Sequence, residues 1–293
     1  MRPAASLFFF AALACAADLR IDHATVAGSN LDAMRQAFFA AVGIEPEYGG
    51  QHSNGATEMA LVSFPDGSYL EFMAIRRDAD AQAAAGHEWS RYLRGNAGPC
   101  AFALRAEDLN DLAAGLKKRG VAVSAIARSG RTRPDGTRLE WEIANPGDAV
   151  RGTFLPFLIH DLTKRENRVY PSGKPTTERY RGVGMVVVGV DDLERAIGEY
   201  RRAFALPRPK RQRDRDFGAE LAWFEGTPVV LAQGLPGSWL EKRVREFGNL
   251  PCAFVLDASS GLTGARASVW FDRPIIWADE EKLGWRLGME TAR

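Results

Sequence analysis

The sequence predicts an α+β protein built from tandem βαβββ units, about four of them in two halves, of which the last is degenerate. Three observations support this prediction: an ordinary globular composition, internal repeats at two similar offsets, and one order of strand and helix patterns within each repeat. The chain has 293 residues, of which 46% are hydrophobic and 26% are charged. These fractions exclude disorder, collagen and coiled coil as descriptions of the whole chain.

The repeats define two halves. Residues 99–104 return almost unchanged at 251–256, an offset of 152, and residues 24–31 return in pattern at 186–193, an offset of 162. Two similar offsets in the same order indicate a duplication of about 150 residues. The predicted domains therefore cover 18–165 and 178–293, and a stretch rich in Lys, Arg and Pro joins them.

The first unit begins with a strand-like run over 19–28. Ser29 and Asn30 offer an N-cap, and apolar residues at helical spacing over 31–42 predict a helix that Gly43 ends. Three further strands are predicted around 46–51, 57–64 and 69–75, with a Pro-Asp-Gly turn between the last two.

The same order recurs along the rest of the chain. The second unit combines a helix with four strands, predicted at 107–119 and at 99–105, 121–128, 137–144 and 152–160. The third unit shows a helix and three strands, at 192–204 and at 182–190, 218–224 and 228–233. The fourth unit starts at 250 and lacks most of its helix. Two such units are expected to close a curved sheet around a pocket, with the helices outside.

The N-terminus has the pattern of an export signal. Met1-Arg2 is positive, residues 4–14 are almost wholly apolar, and Ala14-Cys15-Ala16 fits a cleavage site. This predicts a signal peptide over 1–16 and a periplasmic or secreted protein; the alternative is a lipoprotein anchored at Cys15. The apolar run is shorter than the roughly 20 residues of a membrane span, so we expect no integral membrane span.

The net charge indicates which class of partner the protein binds, and the cysteine content indicates whether it contains a disulfide. The formal net charge is +1, which gives no global field for gathering nucleic acid, so a small-molecule substrate or ligand is expected instead. The basic run over 208–215 has no interleaved aromatic residues and is predicted to be a solvated loop. Cys100 and Cys252 lie in apolar runs, which favours buried free thiols over a bridge.

The N-terminal half resembles the glyoxalase-like domain group of the vicinal oxygen chelate (VOC) superfamily. The matching residues are 22–26, 49–52, 66–71, 131–141 and 155–159, and together they cover most of 20–162. The resemblance implies a metal-dependent enzyme of the lyase, isomerase or dioxygenase type that acts on a small oxygenated molecule. The alternative is a non-catalytic protein of the same fold that binds or sequesters a small molecule without metal.

The resemblance also implies where a metal would bind, because ligands in the superfamily come from the first and last strands of a unit. His23 lies on a first strand and Glu71 on a last strand, and strand alternation directs both toward the pocket. His160 is the third candidate, on the assumption that its neighbours Phe157 and Ile159 face the helix. Two imidazoles and one carboxylate suit Fe(II), Mn(II), Zn(II) or Ni(II) with open positions. A hydrogen bond between His23 and Glu71 without metal is the alternative.

Other residues are candidates for the reaction or for substrate binding. His52 and Glu58 are the candidate proton-transfer groups, although His52 also fits an exposed loop. The candidate substrate-binding residues are Tyr69, Arg131, Arg133 and Trp141, in which arginine suits a carboxylate. His87 is predicted to be a surface or packing residue.

In the C-terminal half, Met185 replaces His23 and Val230 replaces Glu71. This half is therefore expected to be a structural partner or a dry pocket. The sequence also allows a homodimer.

Overall fold

The computed structural model describes residues 19–259, 264 and 266–291. The predicted signal peptide and the alternative lipid site at Cys15 lie outside these residues. Within the described part of the chain, no helix has the length and apolar character needed to cross a membrane.

The first half contains eight strands and five helices. Their bounds are β1 (Ile21–Ala27), α1 (Leu31–Val42), β2 (Glu47–His52), β3 (Thr57–Ser63), β4 (Tyr69–Ile75), α2 (Ala81–Gly86), α3 (Ser90–Arg94), β5 (Gly98–Arg105), α4 (Leu109–Lys118), β6 (Ala127–Thr132), β7 (Arg138–Ala144), β8 (Phe157–Asp161) and α5 (Arg165–Val169).

These eight strands form a closed barrel in the order β1-β4-β3-β2-β6-β7-β8-β5. In each unit the first and last strands run parallel, β1 beside β4 and β5 beside β8. The two units join at two antiparallel seams, β1 with β5 and β2 with β6. Unit one therefore pairs with unit two, and the predicted fold class is confirmed.

Helix α1 shows how local sequence sets an element. The side chain of Asn30 accepts a hydrogen bond from the backbone N–H of Ala33, and Gly43 ends the helix in the left-handed region at φ 73°. The helix buries Leu31, Phe38 and Val42 against the outer face of the barrel, as its spacing predicted.

In its described residues, the second half contains eight strands and three helices. Their bounds are β9 (Tyr180–Val190), α6 (Leu193–Phe204), β10 (Lys210–Asp214), β11 (Ala219–Trp223), β12 (Val229–Gly234), α7 (Trp239–Phe247), β13 (Leu250–Ala258), β14 (Arg266–Trp270), β15 (Arg273–Trp277), α8 (Glu280–Leu283) and β16 (Arg286–Thr291).

Among the residues that the structure describes, this second sheet has the order β10-β11-β12-β9-β13-β16-β15-β14 and does not close through backbone pairing. Side chains bridge its two edge strands instead. Gln212 donates to the carbonyl of Val269 at 2.6 Å and accepts from the N–H of Phe271 at 2.7 Å. Asp214 accepts from the indole of Trp270 at 2.6 Å.

Three expectations about elements are wrong in detail. The basic run over 208–215 contains the edge strand β10, in which arginines pair with glutamates such as Arg211 with Glu194. The strand predicted at 121–128 lies at β6 instead. The strand predicted at 152–160 is the shorter β8, because residues before Phe157 form turns.

The two halves pack through the outer faces of their sheets. One apolar cluster includes Phe64, Val183 and Tyr180, and α1 lies against α8 while β5 lies against β13. Cys100 and Cys252 are both buried and free, which confirms the prediction for these two thiols.

Candidate functional site

The first barrel encloses a cavity of about 70 Å³ between its inner strand faces. Polar groups on its wall come from His23, His52, Glu71, His87, Arg131 and Arg151, and aromatic groups come from Tyr69, Trp89, Trp141 and Phe157. The polar residues of four separate strands (β1, β2, β4 and β6) and of two loops therefore meet in one small space.

His23 lies on β1 and is held on two sides. Its Nδ1 lies 2.7 Å from Oδ1 of Asp22, and its ring stacks on Tyr69 with centroids 4.8 Å apart and planes 11° apart. This arrangement leaves Nε2 directed toward Glu71, whose Oε2 lies 3.8 Å away. A carboxylate behind an imidazole fixes the ring in this way in many metal sites.

The carboxylate of Asp22 is held in turn by two arginines of α5. Arg168 donates to both of its oxygens, at 3.0 and 2.9 Å, and Arg165 makes a further ion pair with it. Burial alone would raise the pKa of Asp22, but the two arginines and His23 outweigh burial and hold it well below its usual range. The segment between the two halves thus positions His23 through Asp22. No sequence pattern indicated this role.

Glu71 lies on β4, is only 4% exposed, and accepts a hydrogen bond from the Thr25 hydroxyl at 2.9 Å. Its Oε1 lies 3.6 Å from Nε2 of His52. Burial acts to raise the pKa of this carboxyl, but His52, His23 and Thr25 together lower it to about 2. Glu71 is therefore a carboxylate at neutral pH.

His52 ends β2 and reaches the cavity rather than a solvated loop. Gly50 permits this position, since at its φ of 109° an added Cβ would lie 2.5 Å from the carbonyl oxygen of Thr132 on β6. The Nδ1 of His52 lies 2.9 Å from the hydroxyl of Thr57, so its Nε2 is the nitrogen that faces Glu71.

His87 also lines the cavity, so its prediction as a surface or packing residue missed this position. Its Nδ1 accepts the backbone N–H of Trp89 at 3.1 Å. Burial, together with the Arg151 guanidinium, lowers the pKa of His87 to about 4. The ring is therefore neutral at pH 7 and carries its proton on Nε2.

Three of the four predicted substrate-binding residues line the cavity: Tyr69, Arg131 and Trp141. Arg131 is committed to the protein, because it donates to the carbonyl of Gly49 and, at 2.6 Å, to that of Arg168. Burial lowers the pKa of this guanidinium to about 10.

Arg133 does not belong to the cavity wall. It pairs with Asp135 at 3.0 Å and donates to backbone carbonyls of the α5 region. Glu58 also misses the cavity, because strand alternation turns it to the outer side of β3, where it accepts from the Tyr48 hydroxyl at 3.1 Å.

His160 faces away from the cavity, and the expectation for it is wrong. Its Nδ1 lies 3.0 Å from the carbonyl oxygen of Ala106, while Phe157 and Ile159 line the cavity. The register explains the error: Thr25 lies beside Glu71, and its counterpart Ala103 lies beside Phe157. A phenyl ring therefore occupies the position in unit two that Glu71 occupies in unit one.

Arg151 is a cavity residue that sequence reasoning missed. Its guanidinium lies over the rings of Trp89 and Phe157, with distances of 5.1 and 5.4 Å to their centroids. One terminal nitrogen pairs with Glu88 at 2.6 Å, whereas its Nε is buried and has no hydrogen-bond partner among the described residues.

The second sheet places apolar residues at the positions that correspond to His23 and Glu71. Val230 lies beside Val187 as Glu71 lies beside Thr25, which matches the predicted equivalence. Met185 and Val230 are buried in a cluster filled by tryptophan side chains.

The donor set in the first barrel suits a divalent ion in its chemistry. Two donors bound to one ion at about 2.1 Å each lie at most about 4.2 Å apart, and both imidazole–carboxylate distances fall within that limit. Across the described ranges, no three or more His, Cys, Asp or Glu side chains are arranged to hold a metal ion. Binding would therefore require the side chains of His23, His52 and Glu71 to move closer together.

Comparison with known proteins gives matches in family and fold. The sequence model of a glyoxalase-like domain matches residues 21–204. A hypothetical protein from Staphylococcus aureus is 13% identical, with 94% of this chain and 100% of that chain covered and a TM-score of 0.64. No curated protein matches significantly.

Two structures with named activities share the fold. A triple mutant of 4-hydroxymandelate synthase from Streptomyces coelicolor is 10% identical, covers 94% of this chain and 92% of its own, and has a TM-score of 0.56. A Mn(II)-bound glyoxalase from Novosphingobium aromaticivorans is 10% identical, with coverages of 93% and 81% and a TM-score of 0.52.

Proposed function

Because the chain belongs to the glyoxalase-like domain family, we propose that it is a metal-dependent enzyme of the lyase, isomerase or dioxygenase type. Its substrate would be a small oxygenated anion that binds in the first barrel. The predicted VOC resemblance is confirmed by the family match and the shared fold, and the reaction itself is our proposal.

One observation carries the proposal. Two imidazoles, His23 and His52, each have Nδ1 engaged by a protein oxygen and present Nε2 to the same ionised carboxylate of Glu71. Such a cluster, buried inside a cavity, has the composition of a two-histidine, one-carboxylate metal site. We assign His52 to this set in place of His160, and so not to proton transfer.

A divalent ion held there would supply Lewis acidity to a substrate oxygen. Side chains of the protein would bind and orient the substrate. Arg151 would be the anion partner, since its guanidinium lines the cavity beside the Trp89 ring and its Nε has no hydrogen-bond partner among the described residues. His87 would donate its Nε2 proton in a hydrogen bond to a substrate oxygen. The small cavity volume limits the substrate to a few heavy atoms unless side chains move.

Metal binding provides the first test. Protein stripped with a chelator is titrated with Mn(II), Fe(II), Zn(II) and Ni(II), and bound metal is measured after desalting. We expect near-stoichiometric binding of at least one ion, and its loss in His23→Ala and Glu71→Ala. His160→Ala is the matched control, because this histidine lies in the same barrel and faces away from the cavity.

Catalysis is tested on the loaded protein with small 2-oxo and 2-hydroxy acids. Isomerase or lyase chemistry predicts exchange of the proton next to the carbonyl in D₂O, and dioxygenase chemistry predicts oxygen consumption with Fe(II). A native protein that takes up none of the four ions, or equal loss of metal in His160→Ala, would refute the proposal.

The second candidate is a protein that binds a small anion without metal. It is favoured by the absence of a preformed metal cluster among the described residues. In that case Glu71 would serve only to pair with His23 and His52. This candidate predicts that small carboxylates stabilise the protein thermally in the presence of chelator, and that Arg151→Met removes the effect.

A further inference from the structure

The second half contains a separate cleft at one end of its sheet. The cleft has a volume of about 500 Å³, which lies in the range of small-molecule sites. Its wall includes Trp223, Phe271, Lys210, Arg273, Asp257 and Glu290. It shares no lining residue with the cavity of the first barrel.

A buried carboxylate stands at the inner end of this cleft. Glu290 on β16 is 2% exposed, and its Oε1 pairs with Arg273 at 2.5 Å. Its Oε2 is buried and has no hydrogen-bond partner in the described part of the chain. A buried carboxylate oxygen without a donor is unfavourable, so a donor supplied by a ligand in the cleft would stabilise this position.

The side chain cannot easily turn toward another protein donor. Glu290 lies beside Asp257 in the parallel pairing of β13 and β16. Gly184 faces both of them, since a Cβ added there would lie 3.2 Å from Oε1 of Glu290 and 3.3 Å from Cβ of Asp257. Burial raises the pKa of Glu290 despite Arg273, and Asp257 adds to this effect.

The charges around the cleft leave an anionic surplus. Its two cations are already matched, Lys210 with Glu225 at 2.6 Å and Arg273 with Glu290. Asp257 on the wall is paired with Arg181 at 3.3 Å, so the exposed Asp272 is the residue that adds negative charge there. A cationic ligand therefore fits this cleft better than an anionic one.

The aromatic side of the cleft is held in a costly conformation. Phe271 and Asp272 form the two-residue turn between β14 and β15, with φ values of 52° and 64°. This turn type normally takes Asn-Gly or similar pairs. The strain places the Phe271 ring at 5.5 Å from that of Trp223, and strained turns cluster at binding sites.

We propose that this cleft binds a small organic cation, a primary amine carried on an apolar frame. The ammonium group would donate to Oε2 of Glu290, and the apolar part would lie against Trp223 and Phe271. The site is independent of the metal site proposed above.

Benzylamine is the probe, and benzyl alcohol is its neutral counterpart of the same shape. Calorimetry on the native full chain should show saturable binding of benzylamine and at least tenfold weaker binding of benzyl alcohol. Glu290→Gln should weaken benzylamine binding at least tenfold. Glu246→Gln, which changes an exposed carboxylate on α7 outside the cleft, should change it less than twofold.

A second variant keeps the test valid if Glu290→Gln fails to fold. Phe271→Gly relieves the positive φ while removing the aromatic wall, so it should fold and yet bind benzylamine more weakly. Equal binding of amine and alcohol, or unchanged binding in Phe271→Gly, would overturn the proposal. So would binding of Ca²⁺ or Mg²⁺ alone that excludes benzylamine, since it would identify a metal site.

Discussion

The lowered pKa of Glu71 predicts a pH-dependent contribution to stability. This carboxyl has an ordinary pKa of 4.5 and a value of about 2 in the folded barrel. Because the folded value is the lower one, the contribution is present above about pH 4.5 and is lost as the pH falls toward 2. The difference corresponds to about 3 kcal/mol in the free energy of unfolding at pH 7. About 2 kcal/mol of it should be lost by pH 3.

The perturbation is Glu71→Gln, which removes the titrating group while retaining its shape. Urea unfolding of metal-free native protein and variant is measured between pH 3 and 7, and the difference in free energy of unfolding is plotted against pH. A difference in free energy of unfolding that stays constant with pH reflects the replacement by the amide itself. Only the part of the difference that changes with pH reports on the ionisation of Glu71. That part should fall by about 2 kcal/mol from pH 7 to pH 3.

Glu58→Gln is the matched control, since this carboxyl sits on the neighbouring strand outside the cavity. The difference measured for this variant serves as the baseline for the exchange of a carboxyl for an amide on this barrel. If the Glu71→Gln difference followed that baseline, His23, His52 and Thr25 would not hold the carboxyl in its ionised form, and the electrostatic account of the site would be wrong.

Three further perturbations test other parts of the structure. Arg168→Met should lower the free energy of unfolding by roughly 3–5 kcal/mol in urea, because it leaves the buried Asp22 carboxylate without its main partner. Asn30→Ala should cost about 1 kcal/mol in the same assay through loss of the α1 cap. Cys100 and Cys252 should react with a thiol reagent only upon unfolding, because burial raises the pKa of both thiols, that of Cys252 to about 12.

Controls for these perturbations are available in the chain. Arg133→Met removes a guanidinium paired with the exposed Asp135 and should cost far less than Arg168→Met. Ser29→Ala lies next to the cap and should leave α1 intact. The thiol test uses Cys15→Ser protein; fast reaction before unfolding would contradict the buried position of the two thiols.

Much of the fold was predictable because its signals are local. Caps, turn residues and helical spacing identified α1, and the repeats identified the order of the units. The equivalence of Val230 with Glu71 also followed from the repeat offset, and the strand register agrees with it.

The site was less predictable because it depends on register and on distant segments. In β8, Phe157, Leu158 and Ile159 are all apolar since both faces of the strand are buried, so alternation could not show which way His160 points. His87 reaches the cavity from the short loop between α2 and α3, and its sequence context resembles a surface segment.

The position of α5 has a consequence for dissecting the molecule. A fragment ended at residue 165, where the repeat pattern places the first domain boundary, would lose Arg168 and with it the ion pairs behind His23. Asp22 and Tyr69 would lose the hydrogen bonds from Arg168 even though all eight strands were present. We therefore expect the shortest fragment of the first barrel that folds on its own to include α5. The segment between the halves is then a structural part of the first half and more than a linker.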